Sequence, residues 1–175
     1  MNSPEALETK LRKALQSDRT LMLGLAECAD SHFKPMTVQF DGDEARGPLW
    51  CFTAKDTDLV RSLGSGHPAV ALFASKGHDL FATIHGTLVL DNDRATIDRL
   101  WNHFVAAWYP EGKADPSLQL IRLDPTHAQV WLNETSLFTG VKMLLGMDVK
   151  ADYQDKVAVV SLDDEAKEPV VSRNA

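Results

Sequence analysis

"PAVALFASKGHDLFATIHGTLVL", residues 68–90, is the stretch on which the architecture turns. Its two apolar runs, "PAVALFAS" and "LFATIHGTLVL", are rich in β-branched and aromatic residues, as strands are. Only Ser75, Lys76, Gly77, His78 and Asp79 lie between the apolar cores of the runs. So short a link joins antiparallel neighbours, because a parallel pair needs a crossover of about a dozen residues or more.

Working outward, "TLMLGLAE" (20–27), "PMTVQFDG" (35–42) and "GPLWCFTA" (47–54) read as three preceding strands. "HAQVWLN" (127–133) alternates as a sixth. Ser3 before Pro4 signals a helix start, and Leu7, Leu11 and Leu15 give that first helix an apolar face. "KDTDLVRSLGSG" (55–66) has the spacing of a short helix ended by Gly64 and Gly66. From Asp91 or Asp93, the positions of Ile97, Leu100, Trp101, Phe104, Val105 and Trp108 predict one continuous amphipathic helix. Strands separated mostly by turns do not alternate as a doubly wound fold does. The expected fold is mainly β, an antiparallel barrel of six strands with peripheral helices. "SLFTGVKMLLG" (136–146) reads as a last helix or an extended arm, and 148–175 as an acidic, loosely held tail.

The chain has 175 residues, enough for one domain with a substantial core. Eighteen Lys and Arg against 25 Asp and Glu leave a formal charge of -7, which disfavours nucleic acid and anionic membrane surfaces as partners. The N-terminal "MNSPEALETKLRKALQ" is expected to be neither a leader nor an anchor, and no run approaches the roughly 20 apolar residues of a membrane span. Cys28 and Cys51 are isolated, as reduced thiols of a cytoplasmic protein would be. The six histidines are scattered, so no metal site is expected. GxSxG, HExxH, P-loop and GxGxxG motifs are absent, and "GSGHP" (64–68) follows a helix, the wrong order for a nucleotide cradle.

Two features point toward a site. Between Thr20 and Leu90 the only cations are Lys34, Arg46, Lys55, Arg61 and Lys76, and four of them flank or closely follow strand ends. Converging at one rim, they would suit a phosphate dianion, with Thr53, Thr57 and Ser75 as further donors. Trp101 belongs to a core face, whereas for Trp108 and Tyr109, just before a Pro-Gly loop, core and ligand or interface contact both remain open.

The ordered set "KPMTVQF", "GPLWCFTAKDTDLV", "VALFASKGHDLFATIHGTLVL" and "DRLWNHFVAAWYPEGKADPSLQLIRLDPTHAQVWLN" resembles the pyridoxamine 5'-phosphate oxidase-like, FMN-binding split-barrel family, in its general stress protein branch. The resemblance covers about residues 5–147, and residues 1–147 are taken as one FMN-binding split-barrel domain with an N-terminal helix. It implies a homodimeric split β-barrel with FMN, or alternatively FAD, in a cleft near the subunit interface. On that resemblance Lys34 stands where relatives have a phosphate-contacting Arg, and Pro35, Met36, Thr37, Phe52 and Thr53 line the isoalloxazine. Lys55 and Thr57 face the ribityl phosphate. Ser75, Lys76, His78, Asp79 and Leu80 close the other side. Relatives have Ser-x-Lys where this chain has Thr57, Asp58 and Leu59, so one phosphate-binding Lys is replaced by Leu59. No residue qualifies as a general acid or base, so no catalytic residue is assigned. The implied activity is a flavin-dependent oxidoreductase acting on an unknown small molecule, or alternatively a flavin carrier or sensor without turnover. A true pyridoxamine 5'-phosphate oxidase is not expected, because its C-terminal Trp and Arg pattern is not evident after Leu132.

Overall fold

The computed structural model describes residues 3–28, 32–42, 47–133 and 157–162. Helix α1 spans Pro4–Asp18, with the Ser3 hydroxyl accepting from the Ala6 amide at 3.2 Å. Strands β1 (Thr20–Leu25), β2 (Lys34–Gln39) and β3 (Leu49–Ala54) follow, then helix α2 (Asp58–Leu63). The hairpin of β4 (His67–Ala74) and β5 (Leu80–Leu90) forms as expected, from His67 opposite Leu88 to Ala74 opposite Phe81.

The sheet runs β3-β2-β1-β4-β5-β6, and β6 (Leu118–Leu132) returns to pair with β3, closing a six-stranded antiparallel barrel. Leu21, Leu23, Val38, Ala71, Ile84, Ile121 and Val130 fill its interior, and Leu7, Leu11 and Leu15 of α1 join the same core. Burial on this scale is the main favourable term holding the barrel closed.

Three expectations change. The single helix ending near Trp108 is two, α3 (Arg94–Leu100) and α4 (His103–Ala106). Asn102 makes the break: its Oδ1 accepts from the amides of Phe104 and Val105 at 3.0 and 3.1 Å, which caps α4. The expected sixth strand is the second half of β6, and Asp124-Pro125 lies inside β6 rather than in a turn. There the register slips between His85 and Gly86, so Thr126 is an extra residue of a bulge that spares Pro125 a ladder donor. Thirdly, within 148–175, Val157–Ser161 forms β7, paired antiparallel to β6, with Val160 and Leu162 buried in the core. The short apolar run "VAVVSL" docks because β6 otherwise presents an unpaired edge there. The stretch 136–146 lies outside the described residues.

The bulge and β7 each give a test. A Cβ on Gly86 would sit 2.3 Å from the Asp124 carbonyl oxygen. Gly86→Ala is therefore expected to cost about 2 kcal/mol or more in urea denaturation. Val160→Asp, which buries a charge, is expected to lower the melting temperature by several degrees. An unchanged transition in the latter would mean that β7 is not docked.

Candidate functional site

Outside the barrel a second apolar cluster gathers Trp50, Ile97, Leu100, Val105, Tyr109, Leu118 and Leu120, with Phe52 and Trp101 packed against it. Phe52 meets Trp101 edge-on at 5.9 Å between centroids and Tyr109 at 6.4 Å. This cluster holds α3 and α4 against β3 and β6. It borders a cleft of about 450 Å³ lined by residues of β2, β3, α4 and the turn after α4.

The described lining residues are uncharged. β2 supplies Pro35, Met36, Thr37 and Gln39, β3 supplies Phe52, Thr53 and Ala54, and Thr57, Phe104, Val105, Trp108, Tyr109 and Ser117 complete it. Two hydrogen bonds set its shape. The Tyr109 hydroxyl donates to the Thr53 carbonyl at 2.7 Å, and the Asn102 side-chain amide donates to Gln39 Oε1 at 3.1 Å. Asn102 thus caps α4 and orients a cleft side chain with one carboxamide. Burial, reinforced by Asp115, pushes the Tyr109 phenol up to about 12. It is therefore a donor, not a base, near neutral pH.

Of the residues singled out in sequence, Pro35, Met36, Thr37, Phe52, Thr53 and Thr57 come together in this cleft. The Thr57 hydroxyl donates to the Ala54 carbonyl at 3.0 Å and accepts from the Val60 amide, so it caps α2. Lys55 sits in the same β3-α2 turn, its amide donating to the Ser117 carbonyl. Lys34 lines a neighbouring pocket of about 350 Å³ with Cys28, His32, Asp58, Leu59 and Ser62. Leu59 itself is buried in the core, so the departure from the Ser-x-Lys pattern leaves Lys34 as the ammonium beside that position.

The turn from Ser75 to Leu80 lies elsewhere, and its polar residues close upon one another. The Ser75 hydroxyl donates to Asp79 and accepts from the Leu80 amide. The bond from Ser75, ahead of backbone contributions, holds the Asp79 carboxyl below its ordinary range. The Lys76 amide donates to Asp18 at the end of α1, and Asn133 bonds to the carbonyls of His78 and Asp79. His78 takes a left-handed φ of 54° and stacks on Phe81, while Leu80 packs inside the barrel. None of these five residues lines the cleft within one chain.

Gln39, Ala54, Phe104, Val105 and Ser117 were not read from sequence as site residues, because the fold alone brings them together. The usable signal was Asn102, a capping residue set inside an apolar run. Cys51 is buried, which pushes its thiol up to about 12, and both described cysteines are free. No helix is long and apolar enough to cross a membrane, among the described residues.

Asn102→Ala is expected to cost about 1 kcal/mol of stability through the lost cap, read by denaturant unfolding. Alkaline titration supplies a second check. A raised phenol pKa gives a contribution to stability fully present below the ordinary 10.0 and lost as pH rises through about 12. Tyr109→Phe should remove this part of the alkaline loss, whereas an unaltered profile would place the phenol in water.

A family profile described as pyridoxamine 5'-phosphate oxidase like matches residues 6–154. No curated protein matches the chain. Among solved structures, the general stress FMN/FAD binding protein of Xanthomonas citri is 56% identical, with 76% of this chain and 93% of that one covered and a TM-score of 0.72. A general stress family protein of Xanthomonas campestris pv. campestris is 55% identical over 78% of this chain and 94% of that one, with a TM-score of 0.73. General stress protein 26 of Jannaschia sp. CCS1 is 26% identical over 91% and 99%, with a TM-score of 0.71.

Proposed function

Because the chain belongs to the pyridoxamine 5'-phosphate oxidase-like family, we propose that its cleft binds a flavin, FMN in the first instance, and serves electron transfer to or from a small molecule. The observation that carries this reading is the composition of the cleft. Apolar side chains of Met36, Phe52, Val105 and Tyr109 line it together with polar groups of Thr37, Gln39 and Thr53. An isoalloxazine has the same division, with broad apolar faces and a hydrogen-bonding edge. The 56% identity to a protein described as FMN/FAD binding supports it further.

In this reading the walls from β2, β3 and α4 orient the ring and exclude water. Gln39, held by Asn102, presents its amide to the polar edge. Lys55 and Lys34 supply positive charge at the phosphate end, where Leu59 supplies none. The flavin brings the redox chemistry itself. Among the described lining residues Tyr109 is the titratable one, and its proton is engaged by the Thr53 carbonyl. The lack of a proton-transfer group among the described lining residues favours a second reading, a flavin carrier or sensor without turnover.

We further propose a homodimer. Along the outer sheet face, Pro35, Met22, Leu72, Thr83, Gln129 and Val159 form one cross-strand row with no charge. Met22, Leu72 and Phe81 are exposed there, around a shallow apolar depression that Trp131 also lines. In a chain of net charge -7, such a face suits a second copy, and Pro35 and Thr37 bring the cleft to its margin. The proposed setting is the cytoplasm, where Cys28 and Cys51 stay reduced.

FMN titrated against the full chain should bind one per protomer. Lys34→Ala with Lys55→Ala should weaken it roughly tenfold or more, as loss of a charge-assisted hydrogen bond does. Wild-type protein that takes up no flavin overturns the reading. Rapid, saturable reduction of the loaded protein by a nicotinamide cofactor in stopped flow favours the enzyme, and slow background reduction the carrier. Light scattering should give a dimer that Leu72→Glu converts to monomer; a wild-type monomer removes the assembly.

A further inference from the structure

Helix α4 and the turn after it are apolar on both sides. Val105 and Tyr109 face inward and are buried, each 6% exposed. Phe104 and Trp108, one position before each, are 73% and 82% exposed. The i,i+4 spacing puts these two rings on one outward side, and the Trp108 amide still donates to the Val105 carbonyl, so the turn continues to that position. A helix that is apolar all round is ordinarily covered on both sides. Here both outward rings border the same cleft.

The backbone that carries the rings is anchored at both ends. Asn102 caps α4, the His103 ring lies against Phe104 with centroids 3.8 Å apart, and Tyr109 is fixed to the Thr53 carbonyl at 2.7 Å. Exposed aromatic faces beside an uncharged cleft favour a flat, uncharged partner, because stacking rewards area without demanding a counter-charge.

We infer that Phe104 and Trp108 form a stacking platform at the mouth of the cleft for a second, uncharged planar ring. The inference rests on the flavin reading above, which fills the inner cleft with the first ring. Two sources offer such a ring: the adenine of a dinucleotide flavin, or a flat aromatic substrate. The platform explains why an aromatic side chain stands at each outward position, which a merely solvated helix does not require.

Equilibrium titrations of the full chain with FMN and with FAD, and of the FMN-loaded chain with 1,4-naphthoquinone, test it. Flavin emission, which survives substitution of either ring, is the readout. If adenine is the second ring, Trp108→Ala weakens FAD roughly tenfold more than it weakens FMN. If a substrate ring is, Trp108→Ala and Phe104→Ala weaken 1,4-naphthoquinone by a similar factor and leave the FAD-to-FMN preference unchanged. Trp108→Phe should restore most of either loss. Unchanged FAD-to-FMN preference together with unchanged naphthoquinone binding overturns the platform. So does a dimer that Trp108→Ala converts to monomer while FMN and FAD weaken equally, for then a second copy covers the rings. Wild-type protein that binds neither flavin removes the flavin reading, and the platform with it.

Discussion

Closure of the barrel by β6 is the constraint on which everything else rests. This 15-residue strand pairs with β3 from Leu118 to Leu123, with β5 from Ile121 to Leu132, and with β7 from His127 to Trp131. β3 and β7 pair with successive stretches of it, and the bulge at Thr126 lies between them. The close approach of Gly86 to Asp124 fixes where it occurs. Without the β3-β6 ladder, β3 would be a free edge, and Phe52 and Thr53 would have no fixed relation to α4.

The same strand explains why the cleft lies outside the barrel rather than within it. Ile121 and Leu123 point into the main core, while Leu118 and Leu120 belong to the cluster under α3 and α4. The barrel interior is filled with side chains, as small barrels are, so a ligand must sit on its flank. Asn102 then separates two jobs. The chain before it packs α3 onto the cluster, and the chain after it turns α4 so that Phe104 and Trp108 border the cleft.

Much of this was legible in the sequence, for physical reasons that differ by element. The β4-β5 hairpin was readable because its two runs are apolar and its turn is short. The first half of β6 was not, because "LQLIRL" is buried on both faces and so loses the alternation that marks a half-exposed strand. The break at Asn102 was hidden because the apolar spacing on either side continues at helical period, and only the capping chemistry interrupts it. For the site, the resemblance drew Pro35 to Thr37, Phe52, Thr53 and Thr57 together, and these do share a cleft. The Ser75 to Asp79 turn, which the resemblance also assigns to the site, makes hydrogen bonds that knit the hairpin to Asp18 and Asn133. Polarity in a turn reports unsatisfied backbone as readily as it reports a ligand.

The central claim is that the cleft between β2, β3 and α4 receives a flavin. The absorption spectrum of the purified chain, taken before any cofactor is added and again after equilibration with FMN and removal of the excess, tests it most directly. The account predicts the bands of oxidised flavin, bleached by dithionite, at one flavin per protomer after equilibration, and lost when Thr53→Arg fills the cleft. A colourless protein that retains no FMN, or one whose FMN survives Thr53→Arg unchanged, would contradict it.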